Sequence, residues 1–424
     1  MKHISIAGVF AATLCLFAAC DKEKDYDAPL EGKTYTGFTE LSMTYNESPM
    51  SGKSVTFTPP SGAPATFKVD SRFDLSQLSA SLKGIPPIQA PGPLPGTPEL
   101  TFTANLYTAP DHYTFSGSGE TEYVTYSYDG TVNKDKMSLN FTDVKLKDLT
   151  FANKVFAPAP AVKNANGIGY SQLPLHIVWE SDVPVQIPGL TDGVEDLMKL
   201  FVTLPMIPAY NGTAEMSLVQ VIENAIKTIG LRDDGCIPVT YLQTADGSAQ
   251  FTMTPMCFLQ YVPTSAGSLR LFVNPTDLLT LVLLNNTNRD PNIPENPFGA
   301  PAAKAAADNA DANAQLKEIA MEIAVSSLVK LAPMLATGIP VTVAPTSNGV
   351  AMYIGSEAML PLMKDLMTSI LSNQKLKTLL MQTIMGNPQL VQMLPQLQKV
   401  MQMLPQFIAA STRIELGLNL VPYK

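Results

Sequence analysis

The chain has 424 residues, long enough for two or three domains, and only 15% of them are charged, against about 25% in an ordinary soluble protein. Its formal charge of −9 and pI near 4.9 exclude the basic footprint on which nucleic-acid recognition is built, and they give no net attraction to anionic lipid. The 35 prolines point to rigid loops between the ordered elements.

Met1-Lys2-His3 and the apolar run Ile4 to Phe17 read as a secretory signal peptide over 1–19. The run is shorter than the roughly 20 apolar residues that a membrane-crossing helix needs. It ends in Ala18-Ala19-Cys20, small residues before a cysteine, which resembles the lipobox of bacterial lipoproteins; Phe17 stands where leucine is more usual. The resemblance implies that Cys20 is diacylated and becomes the mature N-terminus. Acyl chains contribute about 0.8 kcal/mol per buried CH₂, so they tether a body to a membrane without a spanning helix. Residues 20–32 are then the lipidated cysteine and a charged linker, beginning Asp21-Lys22-Glu23-Lys24-Asp25. Charge directly after the cysteine also resembles the export signal of surface lipoproteins in Bacteroidota. It implies an outer-membrane lipoprotein at the cell surface, with the periplasmic face as the alternative.

Residues 33–156 carry a β pattern. Alternating runs at Ser54 to Thr58, Ala65 to Val69, Glu99 to Tyr107, His112 to Phe115, Glu122 to Tyr128 and Lys136 to Phe141 are separated by turn-forming residues. Those separators include Pro59-Pro60-Ser61-Gly62, Ser116-Gly117-Ser118-Gly119 and Asp129-Gly130, so an antiparallel sandwich or barrel is expected. "LKGIPPIQAPGPLPGTP", Leu82 to Pro98, reads as an extended loop over a rim. "KTYTGFTELSMTYNE", Lys33 to Glu47, and "YVTYSYDGTVNKDKMSLNFTDVKL", Tyr123 to Leu146, resemble strands of Bacteroidota lipoproteins that carry a calycin-like β-barrel. That resemblance covers about a third of the chain. It implies a barrel or half-barrel tethered at the envelope, and it carries over no activity and no functional residue.

The composition shifts near Ala157 to Gly167, and residues 170–424 are expected to form an α+β domain. "IPVTYLQTADGSAQFT" from Ile237 aligns without gaps on "IPVTVAPTSNGVAMYI" from Ile339. Each copy follows an amphipathic pattern, Leu218 to Ile229 in the first case and Leu316 to Leu331 in the second, which predicts a helix–hairpin unit used twice. A two-residue turn at Asp246-Gly247 sets Ala245 opposite Ser248 and, counting outward, Pro238 opposite Pro255 and Cys236 opposite Cys257. The two cysteines then fall on a non-hydrogen-bonded pair, about 4.5 Å apart at Cα and within reach of a disulfide. Outside the cytoplasm such a bond is a staple contributing about 3 kcal/mol; two buried free thiols would pack in the same way.

Catalytic signals are sparse. Apart from His3, the histidines are His112 and His176. No H-E-x-x-H, G-x-S-x-G, Walker A or zinc-spaced cluster occurs, so no cofactor or metal is implied. Asp233-Asp234-Gly235 reads as a turn rather than a calcium loop. The unusual feature is a Met/Leu/Gln-rich tail from Ser356 to Phe407, with Met359, Met363 and Met367 at helical spacing, followed by Met381, Met385, Met393 and Met401. Methionine fills irregular space and suits adaptable apolar surfaces, so these residues are the candidate lining of a ligand site; packing on the sheet as core is their commoner use. The expected role is therefore an envelope-anchored binding or structural module without enzymatic activity, holding an apolar or amphiphilic, lipid-like ligand. The alternatives are a glycan-binding or assembly component of an outer-membrane uptake system, and a carboxylate- or Ser-based hydrolase. The protein partner is left open.

Overall fold

Alternation of apolar and polar side chains decides most of this fold, because a strand with one wet face sends every second residue inward. A computed structural model describes residues 30–50, 52–61, 64–73, 87–89, 91–165, 169–183, 194–205, 207–208, 215–245, 248–254, 258–274, 331–372, 402–403 and 405–424. The signal peptide, Cys20, Cys257, Met381, Met385, Met393, Met401 and the helix pattern from Leu316 to Leu328 lie outside them. The protein is mostly β-sheet. No helix among the described residues is long and apolar enough to cross a membrane.

Two sheets build the N-terminal part. Strands β1 (Lys33–Thr36), β4 (Ser54–Thr58), β5 (Ala65–Asp70) and β6 (Leu100–Ala104) form the first in the order β1-β4-β5-β6. The second holds β2 (Leu41–Tyr45), β3 (Ser48–Pro49), β7 (Tyr107–Thr108), β8 (Tyr113–Glu120), β9 (Val124–Val132) and β10 (Met137–Leu146) in the order β3-β2-β10-β9-β8-β7. Aromatic side chains join the two sheets: Phe67 meets Phe115 at 4.3 Å between centroids, and Phe102 meets Tyr128 at 4.4 Å. Such pairs add about 0.5–1.5 kcal/mol each beyond the area they bury.

Three expectations for this part change. Pairing is not antiparallel throughout, since β2 runs parallel to β10 over Leu41–Tyr45 and Met137–Phe141. Ser116-Gly117-Ser118-Gly119 and Asp129-Gly130 are not turns; they lie inside β8 and β9. The glycines are there for room. A Cβ on Gly117 would stand 2.5 Å from the Tyr128 hydroxyl, one on Gly119 would stand 2.6 Å from that of Tyr126, and one on Gly130 would stand 2.3 Å from the Ser138 carbonyl oxygen. The reversal between β9 and β10 falls at Asn133 to Lys136, where the Asn133 side chain accepts from the Asp135 and Lys136 amides. Finally, the described end of the proline-rich stretch is no rim loop: Leu94 is 0% exposed in the core, and Pro95 packs so closely on Gly235 that a Cβ there would approach it to 2.8 Å.

The C-terminal part is a ten-stranded sheet. Its strands are β11 (Lys154–Pro158), β12 (Leu175–Ser181), β13 (Ile226–Leu231), β14 (Val239–Ala245), β15 (Ser248–Met253), β16 (Leu259–Ser265), β17 (Ser268–Val273), β18 (Ile339–Pro345), β19 (Val350–Ile354) and β20 (Ser411–Pro422). The order is β15-β14-β13-β11-β20-β19-β18-β17-β16, with β12 also on β20. β11, which straddles the boundary drawn at residue 156, belongs to this sheet. The sheet curls into a half-barrel. Its outer strand β16 returns to the segment preceding β14, where Ile237 N donates to Leu259 O at 2.9 Å and Tyr261 N donates to Gly235 O at 2.7 Å.

Both Ile-Pro-Val-Thr segments open hairpins here. The first keeps the expected register, Thr240 to Ala245 against Met253 to Ser248. The second pairs Pro345 with Val350, so its loop holds four residues. The first amphipathic helix is shorter than its sequence pattern: α2 covers Leu218–Ala225, after α1 at Val194–Thr203, and a capping box between Ser217 and Gln220 fixes its start. Ile226 and Ile229, expected on that helix, are in β13 instead, where Ile226 pairs with Tyr241 and Ile229 with both Val239 and Phe156. The long helix α3 (Ser356–Ser372) packs on β20.

The joint between the two parts is the turn Arg232 to Gly235. Its Asp234 carboxylate accepts from Cys236 N at 2.9 Å, Asn46 Nδ2 at 3.2 Å and Arg232 Nε at 3.1 Å, while the Tyr45 hydroxyl donates to the Asp234 carbonyl. Asp233 O receives the Leu146 amide at 2.8 Å. One hydrophobic core therefore runs from Phe57 and Phe141 through Phe156 to Tyr261 and Leu269.

Candidate functional site in the curled sheet

Along β20, Ile414, Leu416, Leu418 and Leu420 alternate with Arg413, Glu415, Gly417 and Asn419, so one face of this strand is apolar and the other polar. The same division holds on β17, where Leu269 and Leu271 flank Arg270. Curling turns the apolar faces toward one another. They line a half-open cavity of about 360 Å³. Ile226, Ile229, Leu231, Ile237 and Val239 supply one side of its wall, and Leu259, Leu269, Leu271 and Val341 another. Met352, Ile354, Leu416, Leu418 and Leu420 complete it. Among the described residues of the wall Tyr353 is the one titratable group, and its ring stacks on His176. Water in such a cavity finds no hydrogen-bond partners on its walls. Its lining lacks dispersion contacts on the open side, so a hydrocarbon that fills it regains them along with about 0.8 kcal/mol per buried CH₂.

The polar face of β20 carries a second depression. β20 changes neighbour along one edge, from β12 (against Ser411 to Leu418) to β11 (against Leu420 to Pro422). Asn419 stands at the changeover: its amide donates to Pro174 O at 2.8 Å, and its Nδ2 donates to Leu173 O at 3.0 Å and Leu175 O at 3.1 Å. The gap between the strand ends is a cleft of about 270 Å³ lined by Tyr170, His176, Lys199, Ser347, Asn348 and Asn419, among others. His176 Nε2 lies 3.1 Å from Glu415 Oε2. Arg413 Nε donates to Glu415 Oε1 at 2.8 Å, and its Nη1 donates to Glu180 at 3.0 Å. Burial alone would push the Glu415 carboxyl up; the hydrogen bonds from Arg413 and His176 outweigh it and hold the group below the usual carboxylate range. Among the described residues no cluster of three or more His, Cys, Asp or Glu could hold a metal ion.

Of the methionines singled out from the sequence, the two whose side chains are described, Met359 and Met363, lie outside the cavity wall. Met359 is buried with Trp179, Phe407, Ile408 and Ile414, and Met363 packs against that group. Met367 lies on α3. The two regions touch, since Ile354 and Leu416 pack against this cluster and also line the cavity. Sequence reading passed over the aliphatic positions of β17, β19 and β20, although the alternation in "SLRLFV" and "IELGLNLVP" was a usable signal. Cys236 is buried, and the ladder position opposite it is taken by Gln260, so the extended hairpin register stops short of this residue. No disulfide is seen among the described residues.

No protein-family model matches the chain, and neither does any curated protein or solved structure.

Proposed function

We propose that the protein is an outer-membrane lipoprotein, anchored through acyl groups on Cys20 and facing the cell surface, whose C-terminal half-barrel holds an apolar or amphiphilic, lipid-like ligand. The observation that carries this reading is the cavity, whose described wall is aliphatic apart from Met352, Tyr353 and Gly417. Binding, not turnover, is the role assigned. Native mass spectrometry of the full chain carrying Cys20→Ala tests it: the expected result is protein with a co-purifying lipid mass released on activation. An empty protein that takes up no added lipid overturns it.

A second reading, recognition of a glycan, is favoured by the polar cleft, which sets amide and hydroxyl groups beside Leu173 and Leu175 as a pyranose with one apolar face requires. Retention of the chain on an oligosaccharide array, abolished by Asn348→Ala, would establish it. One structural proposal accompanies these readings. The hairpins opened by Ile237 and Ile339 are taken as copies of one duplicated unit.

A further inference from the structure

One outer strand of the C-terminal sheet is unlike the other sheet edges. β15 (Ser248–Met253) pairs with β14 on one side, and among the described residues no strand lies on the other. Soluble proteins blunt such an edge with charge, proline, a bulge or a very short strand, because its free backbone groups recruit another strand. The outer strands of the second N-terminal sheet follow that rule: β3 and β7 hold two residues each, and β3 ends in Pro49. β15 uses none of these devices. Its sequence SAQFTM has no charge and no proline, its register on β14 is unbroken from Ser248 to Met253, and Phe251 and Met253 stand 50% and 54% exposed on one face.

Hydrogen-bond parity decides what fits there. Thr254 N donates to Val239 O at 2.9 Å, so residue 254 turns its backbone groups toward β14. That orientation alternates along an antiparallel ladder, and Ala249, Phe251 and Met253 therefore turn their N–H and C=O groups to the free side. We propose that this edge is a self-association surface, on which β15 of a second copy of the chain pairs antiparallel about a two-fold axis at Phe251. That register sets Phe251 opposite Phe251 of the second copy and Met253 opposite its Ala249, and it gives each outward donor and acceptor of Ala249, Phe251 and Met253 a partner. A one-residue slip brings inward-facing groups against outward-facing ones, and a two-residue slip leaves an outward residue of each strand beyond the ladder. The strand thus complements itself, as an isologous interface requires. Its lack of charge offers nothing to select a charged peptide and puts no like charges between two copies. The Lys227 ammonium, 5.2 Å from the Phe251 ring centroid, reaches across β14 from β13, the side away from the free edge. Such an axis is perpendicular to the sheet, so the concave faces of both copies lie on the same side of the joined sheet.

The test is sedimentation velocity of the full chain carrying Cys15→Ala and Cys20→Ala, at concentrations up to about 100 µM, a range that reports the weak contacts of a small interface. The expected result is a reversible monomer-dimer equilibrium that Phe251→Lys weakens about tenfold, by replacing an aromatic pair with facing like charges. Phe251 is exposed, so the substitution leaves the core intact. Register has its own readout. In the same background, under mild oxidation, Phe251→Cys should give a disulfide-linked dimer on non-reducing gels, since residues facing across a hydrogen-bonded pair lie about 5.5 Å apart at Cα. Met253→Cys, which faces Ala249 of the second copy, should cross-link no more than the parent chain. A chain that stays monomeric overturns the inference, whether or not it binds an added SAQFTM peptide. A dimer indifferent to Phe251→Lys, or equal cross-linking of the two cysteine variants, overturns it as well.

Discussion

His176 stacks on Tyr353 with ring centroids 4.2 Å apart and planes 20° from parallel, and the residue in register between them on β20 is Gly417. Any side chain there would collide with the backbone, because a Cβ on Gly417 would stand 2.1 Å from Met352 O and 2.5 Å from Tyr353 Cα. The neighbouring strands approach the central one too closely for a methyl group. Gly417→Ala is therefore expected to lower stability by at least about 2 kcal/mol, the range for overpacking against an unyielding neighbour. Urea denaturation of the variant checks it, and a midpoint equal to wild type would contradict the close approach.

Glu415 links that stack to Arg413 and gives stability a defined dependence on acid. Its folded carboxyl titrates below the ordinary value of 4.5, the net result of burial, which raises it, and the Arg413 and His176 hydrogen bonds, which lower it further. The stabilising contribution is complete above the unfolded value and is lost as pH falls through the lower folded value. Stability of the wild type should decline below about pH 4.5 with a component that Glu415→Gln removes. Thermal unfolding of both proteins between pH 3 and 7 measures it; parallel curves over the acid range would show that Glu415 contributes nothing.

Asp234 makes the same kind of argument at the joint. Its side chain is 2% exposed and collects donors from three residues, one of them Asn46 in the N-terminal part. Asp234→Ala removes the carboxylate that accepts from the buried Cys236 amide, and a cost of about 2–3 kcal/mol is expected from that loss together with the Asn46 and Arg232 bonds. Asp234→Asn keeps the acceptor for Cys236 N and should recover about half of it. Chemical denaturation of the pair is the measurement. Equal destabilisation by Ala and Asn would mean that charge, not hydrogen bonding, holds the turn.

Strand positions were readable from the sequence where alternation was strict. Ser54–Thr58 has the predicted bounds, and the Asp246-Gly247 hairpin pairs in the predicted register as far as Thr240 and Met253. What the sequence concealed were contacts between distant segments. Gly117 and Gly130 carry turn chemistry in isolation, and only the approach of Tyr128, Phe115 and the Ser138 backbone explains their place inside strands. Ile226 and Ile229 satisfy a helical period, yet ladder partners override it, on β14 for both and also on β11 for Ile229, since local propensity is worth tenths of a kcal/mol against a row of buried side chains. The cavity was hidden for the same reason. Its lining comes from segments between Ile226 and Leu420, and no local window holds more than a few of its residues.

Filling the cavity separates its binding role from its structural cost. Val341 lines it from β18 and is itself buried, so Val341→Phe places added carbon in space that is empty in the ligand-free protein. The lost volume should exclude the lipid, while the new contacts offset the strain of the larger side chain. Leu269→Ala, at a fully buried position of the same wall, does the opposite: it enlarges the cavity and costs about 2–5 kcal/mol. Delipidated Val341→Phe is therefore expected to unfold at or above the wild-type temperature and to carry no lipid in native mass spectra. Delipidated Leu269→Ala should unfold at a lower temperature and gain more from added amphiphile than wild type does. A Val341→Phe protein that still co-purifies with lipid would move the binding site away from the half-barrel interior.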